Sequence, residues 1–115
     1  MNAKLILIPV TDLGEAIDFY VGQLGLKLKF RDGERYAALD AAPLSIGLVA
    51  NEERIVTQPA VVFPVMDVDS EITRLTGTGA RVLLPAESGP HERRAVLAGP
   101  DGQPFVISAK IAQPG

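Results

Sequence analysis

Cysteine is absent from this 115-residue chain, which excludes disulfide scaffolds, thiolate zinc sites and cysteine nucleophiles and suits a reducing cytosol. Histidine occurs once, as His91. No site of two or three imidazoles can form within one chain, and no i, i+4 histidine pair can form on a helix. Tryptophan is missing and aromatics make up 5% of residues, so planar stacking surface is scarce. No Lys/Arg-rich run exists beyond the step Arg93-Arg94, and the net charge is −3 with a pI near 5.0. Nucleic-acid binding therefore lacks its main electrostatic drive. Long hydrophobic runs are also absent. The amino-terminal apolar stretch is broken by Asp12, is too short to span a membrane, and has no small-residue cleavage site after a long apolar core. The expectation is a mature cytoplasmic protein with neither nucleic acid nor membrane as partner.

What is present is 47% hydrophobic and 22% charged, the composition of a soluble globular chain of one domain. A chain of this length buries about two-thirds of its unfolded surface, so neither metal nor disulfide is needed for folding alone. Leu5 to Val10 is a short branched apolar run and reads as a buried strand. Asp12 with Glu15 three residues on signals a helix N-cap. Leu13, Ala16, Ile17, Tyr20, Val21 and Leu24 then share one helical face, and Gly25 stands where a C-terminal glycine belongs. Leu26, Leu28 and Phe30 alternate with Lys27 and Lys29 as a half-exposed strand. Asp32-Gly33 is a hairpin signal, followed by strands from Arg35 to Leu39 and from Leu44 to Val49. Asn51 to Gln58 is a polar connection with room for a helical turn.

The pattern then begins again. A strand at Ala60–Val65 leads through Asp67 into a helix with Val68, Ile72 and Leu75 inward, ended by Gly77 and Gly79. Strands follow at Arg81–Leu84, Arg93–Leu97 and Pro104–Ala109, with Gly99 to Gly102 as a tight turn. Residues 111–115 read as a frayed tail. Pro9-Val10-Thr11-Asp12-Leu13 aligns with Pro64-Val65-Met66-Asp67-Val68 at an offset of 55, and Ile17 aligns with Ile72 at the same offset. A unit this long is no solenoid repeat. It is a duplicated module, each copy a strand, a helix and three strands, with helices expected over Leu13–Leu24 and Val68–Thr76.

Val10-Thr11-Asp12-Leu13 with Ala16, Phe19 and Tyr20, then Leu24-Gly25-Leu26, together resemble the opening of a module in the vicinal oxygen chelate superfamily. That is the glyoxalase, bleomycin-resistance and extradiol-dioxygenase group. Gly99-Pro100-Asp101-Gly102-Gln103-Pro104 is similar to the turn before its last strand, and the resemblance covers essentially the whole chain. It implies an α+β fold of two βαβββ modules, residues 1–57 and 58–115, in a curled, cup-like mixed sheet with helices on the convex side. It implies a homodimer as well. Family enzymes hold a divalent metal on four strands, and the resemblance carries those positions onto Leu5, Gly47, Ala60 and Val106. None has a nitrogen or oxygen donor in its side chain, and neighbouring positions do not rescue them. The chain is thus identified as a member lacking the metal ligands, with no cofactor.

Strand alternation turns Leu5, Leu7 and Pro9 away from the helices, with Ser45, Gly47 and Val49, then Ala60, Val62 and Pro64, then Pro104, Val106 and Ser108. Such a floor is small and apolar with two hydroxyls. It either receives an apolar or aromatic ligand or is filled by side chains or a second subunit. His91, in the loop from Glu87 to Glu92, is either a base or ligand contact at the rim or simply an exposed loop residue, and no partner that would orient a base is identifiable. Arg93 could seat an anionic ligand group, although successive strand residues face opposite sides and at most one of Arg93 and Arg94 enters the cup. Tyr36 offers a ring and a hydroxyl to a ligand, or packs in the hairpin. Asp67 and Asp69 are explained by helix capping, and Glu52-Glu53 by linker surface. Ser45 and Ser108 lack a His-Asp partner set.

These residues lead to an expected noncatalytic function: metal-free binding of a small hydrophobic or aromatic molecule such as an antibiotic. The expected cup contacts are Leu5, Leu7, Tyr36, Ser45, Gly47, Ala60, Val62, His91, Arg93, Val106 and Ser108. The alternative is a glyoxalase-like lyase or dioxygenase with a divalent metal, which rests on fold analogy alone.

Overall fold

The computed structural model describes residues 1–111. The fold is α+β, in two compact units: residues 4–60, and residues 61–111 with 1–3. The first runs β1 (Leu5–Pro9), α1 (Leu13–Ile17), a π-helical turn (Asp18–Gln23), β2 (Lys27–Asp32), β3 (Tyr36–Ala41), β4 (Leu44–Val49) and a 3-10 turn (Asn51–Glu53). Its strands lie in the order β2-β3-β4-β1, with β1 parallel to β4 and the other pairs antiparallel. The second unit runs α2 (Val68–Thr76), β6 (Arg81–Ser88), β7 (Glu92–Ala98) and β8 (Pro104–Lys110) after β5 (Ala60–Pro64), which begins at the boundary. Its order is β5-β8-β7-β6, again with one parallel pair, β5 with β8. The offset of 55 between the Pro-Val-x-Asp motifs thus corresponds to one topology built twice.

The two motifs act alike. Asp12 and Asp67 are extended at φ −121° and −145°. The Asp12 Oδ1 accepts the Glu15 N–H at 2.9 Å, and the Asp67 Oδ1 accepts the Ser70 N–H at 3.0 Å. Each satisfies one orphan donor at its helix start. Val10 N–H then donates to Val49 C=O at 2.9 Å and Val65 N–H to Ser108 C=O at 2.7 Å, which fixes where each helix leaves its parallel strand pair. Gly25 at φ +79° and Gly79 at φ +110° let the chain turn back after the helices.

Each helix covers one face of the strands of its own unit. In the first unit Leu13, Ala37, Leu39 and Leu48 are buried, with Ile8, Val10, Ile17, Tyr20 and Leu26 packed on them. In the second, Val68, Ala95, Leu97 and Ile107 are buried beneath Ile72 and Leu75, and the Phe63 and Phe105 rings meet edge-on at 6.1 Å. Burying one such leucine contributes about 2 kcal/mol.

Three expectations are corrected. Leu24 is 56% exposed rather than inward, because α1 passes into a π-helical turn in which the Leu24 N–H donates to Phe19 C=O and the Leu26 N–H to Tyr20 C=O. The wider turn rotates the following side chains out of the α-helical stripe, and Leu26 takes the core place instead. Leu28 and Phe30 do not share a face: the β2–β3 register shifts between them, setting Leu28 opposite Leu39 but Phe30 opposite Ala38. Finally, β6 continues to Ser88 through two register shifts, one between Val82 and Leu84 and one between Leu84 and Glu87, so Glu87 and Ser88 are strand, not loop. The tail expectation falls mostly on residues 112–115, outside the described residues, but Ile111 is tied down by donating to His91 C=O at 3.0 Å. No helix among the described residues is long and apolar enough to cross a membrane.

Candidate functional site

The face of the first unit turned from its helix is laid out by strand register. Leu5 pairs with Ser45, Leu7 with Gly47 and Pro9 with Val49 across β1 and β4. Across β4 and β3, Ser45 stands opposite Asp40, Gly47 opposite Ala38 and Val49 opposite Tyr36. Leu7, Ala38, Gly47 and Val49 are buried, and Leu5, Tyr36 and Ser45 are half-buried. Leu5, Leu7, Tyr36, Ser45 and Gly47 are thereby brought together on one surface.

Gly47 is the centre of that surface. A Cβ built there would lie 2.8 Å from the Tyr36 Oη, 3.0 Å from its Cε2 and 2.9 Å from the Leu7 Cδ2. The Tyr36 ring therefore leans along β3 onto the bare backbone of Gly47, a close approach that only glycine permits. Phe30 stands beside it, ring centroids 5.6 Å apart and planes at 42°. Tyr36 is both a packing residue and the aromatic surface of this face.

In the second unit, Val62 and Val106 face each other across β5 and β8, and Val96 faces Val106 across β7 and β8. Val62, Val96 and Val106 are buried and Ser108 is half-buried. They lie opposite the residues that pack on α2, and Ala60, at 2% exposure, follows the same alternation on β5. This face too is apolar with a hydroxyl at its edge.

Arg93 requires a correction. It shares the side of Ala95 and Leu97 that packs on α2, and its guanidinium clasps Asp69, Nε to Oδ2 at 2.8 Å and Nη2 to Oδ1 at 2.9 Å, with Nη1 donating to Ser88 Oγ at 3.0 Å. This fork holds the Asp69 carboxyl below the usual carboxylate range and raises the guanidinium in turn. Asp69 lies 24 residues from Arg93, beyond the reach of any local motif. Arg94 takes the other side of β7, opposite Ser108. His91 is exposed in the β6–β7 turn, where its carbonyl is engaged by Ile111. A surface hollow of about 510 Å³ lies at the amino end of α2, lined by Met1, Pro64, Met66, Ser70 and Glu71 among others. None of the expected ligand contacts lines it.

Lys29 is a residue of this face that pattern reading misses. It is the extra residue of the β2 bulge, and its Nζ donates to Ser45 Oγ at 2.7 Å. Regular alternation sends residues 29 and 30 to opposite faces; the bulge brings both to the face of Gly47. Nothing in the Lys-Leu-Lys-Phe stretch marks where a bulge falls.

The four positions that the family resemblance assigns to a divalent metal do not fit one. Leu5, Gly47, Ala60 and Val106 supply no side-chain donor, whereas hard and borderline ions need several oxygen or nitrogen ligands. Among the described residues no three His, Cys, Asp or Glu side chains are grouped to hold one.

Residues 3–107 match the model of the Glyoxalase/Bleomycin resistance protein/Dioxygenase superfamily. An uncharacterized protein of Mycolicibacterium smegmatis is 33% identical over 111 residues, 96% of this chain and 95% of its own. The crystal structure of an NAD-dependent benzaldehyde dehydrogenase of Legionella pneumophila superposes with a TM-score of 0.77 at 19% identity, covering 93% of this chain and 98% of the other. The methylmalonyl-CoA epimerase of Mycobacterium tuberculosis superposes with a TM-score of 0.67 at 22% identity, covering 96% and 88%. At such identities the two structures show a shared fold and nothing of activity.

Proposed function

We propose that this chain, which belongs to the glyoxalase/bleomycin resistance protein/dioxygenase superfamily, binds a small hydrophobic or aromatic molecule without a metal and without catalysis. The observation that carries this reading is the face around Gly47. At a place where the resemblance sets an acidic ligand of the family's enzymes, this chain has a glycine with the Tyr36 ring and Leu7 crowding the same point, and Phe30 alongside the ring. Apolar walls with a few hydroxyls suit a planar apolar guest. The enzyme reading needs donors that Leu5, Gly47, Ala60 and Val106 do not have, and the serines lack the partners a nucleophile needs.

The test is a titration with 2-naphthamide, a neutral planar probe, followed by backbone amide NMR. A ligand of about thirteen non-hydrogen atoms at about −0.3 kcal/mol per atom binds with a Kd near or below about 1 mM. Saturable shifts centred on residues 36–38 and 45–49, weakened severalfold by Phe30→Ala, are expected. No saturation at several times that concentration, or shifts confined to the hollow at the start of α2, would remove this function.

A further inference from the structure

We propose that Lys29 and Ser45 seat the carboxylate of a small aromatic acid whose ring lies against Phe30 and Tyr36, an inference that rests on the binding reading above and names its ligand class. The β2 bulge is the first observation. It spends a residue of sheet pairing between Leu28 and Phe30 and places an ammonium and a phenyl ring side by side on one face. Bulges recur where a side chain must be re-aimed. The second observation is the partner of Lys29. Arg31 and Arg35 on the same hairpin close onto the carboxylates of Glu34 and Asp32, each at 2.8 Å, whereas Lys29 donates to a neutral hydroxyl at 2.7 Å. A hydroxyl bonded in this way keeps its own proton to donate, so an incoming carboxylate meets an ammonium and an O–H together.

The geometry suits one small molecule. Ser45 and Gly47 are two residues apart on β4, a separation of about 7 Å, which is close to the distance from the carboxyl group to the far ring of a fused arene. The Tyr36 hydroxyl end lies over Gly47 and Phe30 packs on the same ring, so the arene falls on aromatic surface when its carboxylate is at Lys29. Asp40, the other charge on this row, is turned toward its own turn, its Oδ1 accepting the Ala42 N–H at 3.0 Å.

The experiment compares 2-naphthoate with its neutral amide, 2-naphthamide, by NMR titration at low salt. The wild type is expected to bind the acid about tenfold more tightly, with the ratio shrinking as salt is added. Lys29→Met should bring the ratio to about one by weakening the acid far more than the amide, Ser45→Ala should lower it in part, and Lys27→Met should leave it intact. Lys29 is exposed, and a fold check by circular dichroism accompanies each variant. Equal binding of acid and amide by the wild type, or a preference that survives Lys29→Met, overturns this inference while the binding function stands. Failure of both probes to bind overturns both.

Discussion

Val106→Asp is expected to remove a large part of the fold's stability. Val106 is 1% exposed and stands between Val62 and Val96 in register, so a carboxylate there has apolar neighbours on both adjoining strands. An unpaired charge in such surroundings costs about 3–5 kcal/mol. The whole stability of a domain this size is about 5–15 kcal/mol, and at roughly 4 °C per kcal/mol the melting temperature should fall by about 12–20 °C. Val106→Ala separates packing from charge: it removes two methyl groups, worth about 2 kcal/mol, and should melt well above the aspartate variant. The loss should also depend on pH. Burial raises the folded-state pKa of the new carboxyl above its unfolded value of about 3.9. The penalty is therefore absent at lower pH, grows as pH rises through that value, and is complete only above the raised one. The gap from wild type should be larger at about pH 7.5 than at about pH 4. A variant that melts like Val106→Ala at both would mean that water or a partner group reaches this position.

Filling Gly47 is the second large effect. Gly47→Val should cost about 1–3 kcal/mol, since its Cβ alone meets the Tyr36 ring and Leu7 at 3.0 Å or less. That figure already includes the small gain from stiffening the unfolded chain. Tyr36→Ala alone loses ring packing against Phe30 and Gly47. The double variant should be less destabilised than the sum of the two by about 1 kcal/mol or more, because removing the ring vacates the space that valine needs. Denaturant unfolding of all four proteins measures this coupling. Strict additivity would show that the ring is free to swing away, and that Gly47 is required for some other reason.

Much of this architecture is legible in the sequence. The β1 and β4 alternation held because both strands run without interruption, so Leu7, Gly47 and Val49 fall on one face by period alone. The Asp12 and Asp67 caps were legible because capping is a contact three residues long. What failed did so where the backbone departs from its period. The π-helical turn moved Leu24 out, and the bulge moved Lys29 and Phe30 onto the same side; both insert a residue without a compositional mark. Arg93 failed for a different reason. Alternation showed that only one of Arg93 and Arg94 could face the floor, but the choice belongs to Asp69 on α2, a partner set by tertiary packing. The contact between Tyr36 and Gly47 was equally out of reach, since an aromatic covering a glycine two strand positions away is a matter of rotamer and register.

Calorimetric titration of the wild type with nickel, zinc and manganese tests the metal-free account most directly. The account predicts heats no greater than dilution, with His91 the one imidazole in the chain and too few donors around it to hold an ion tightly. Stoichiometric binding at low micromolar affinity, lost on substitution of Leu5, Ala60 or Val106 and retained in His91→Ala, would contradict it.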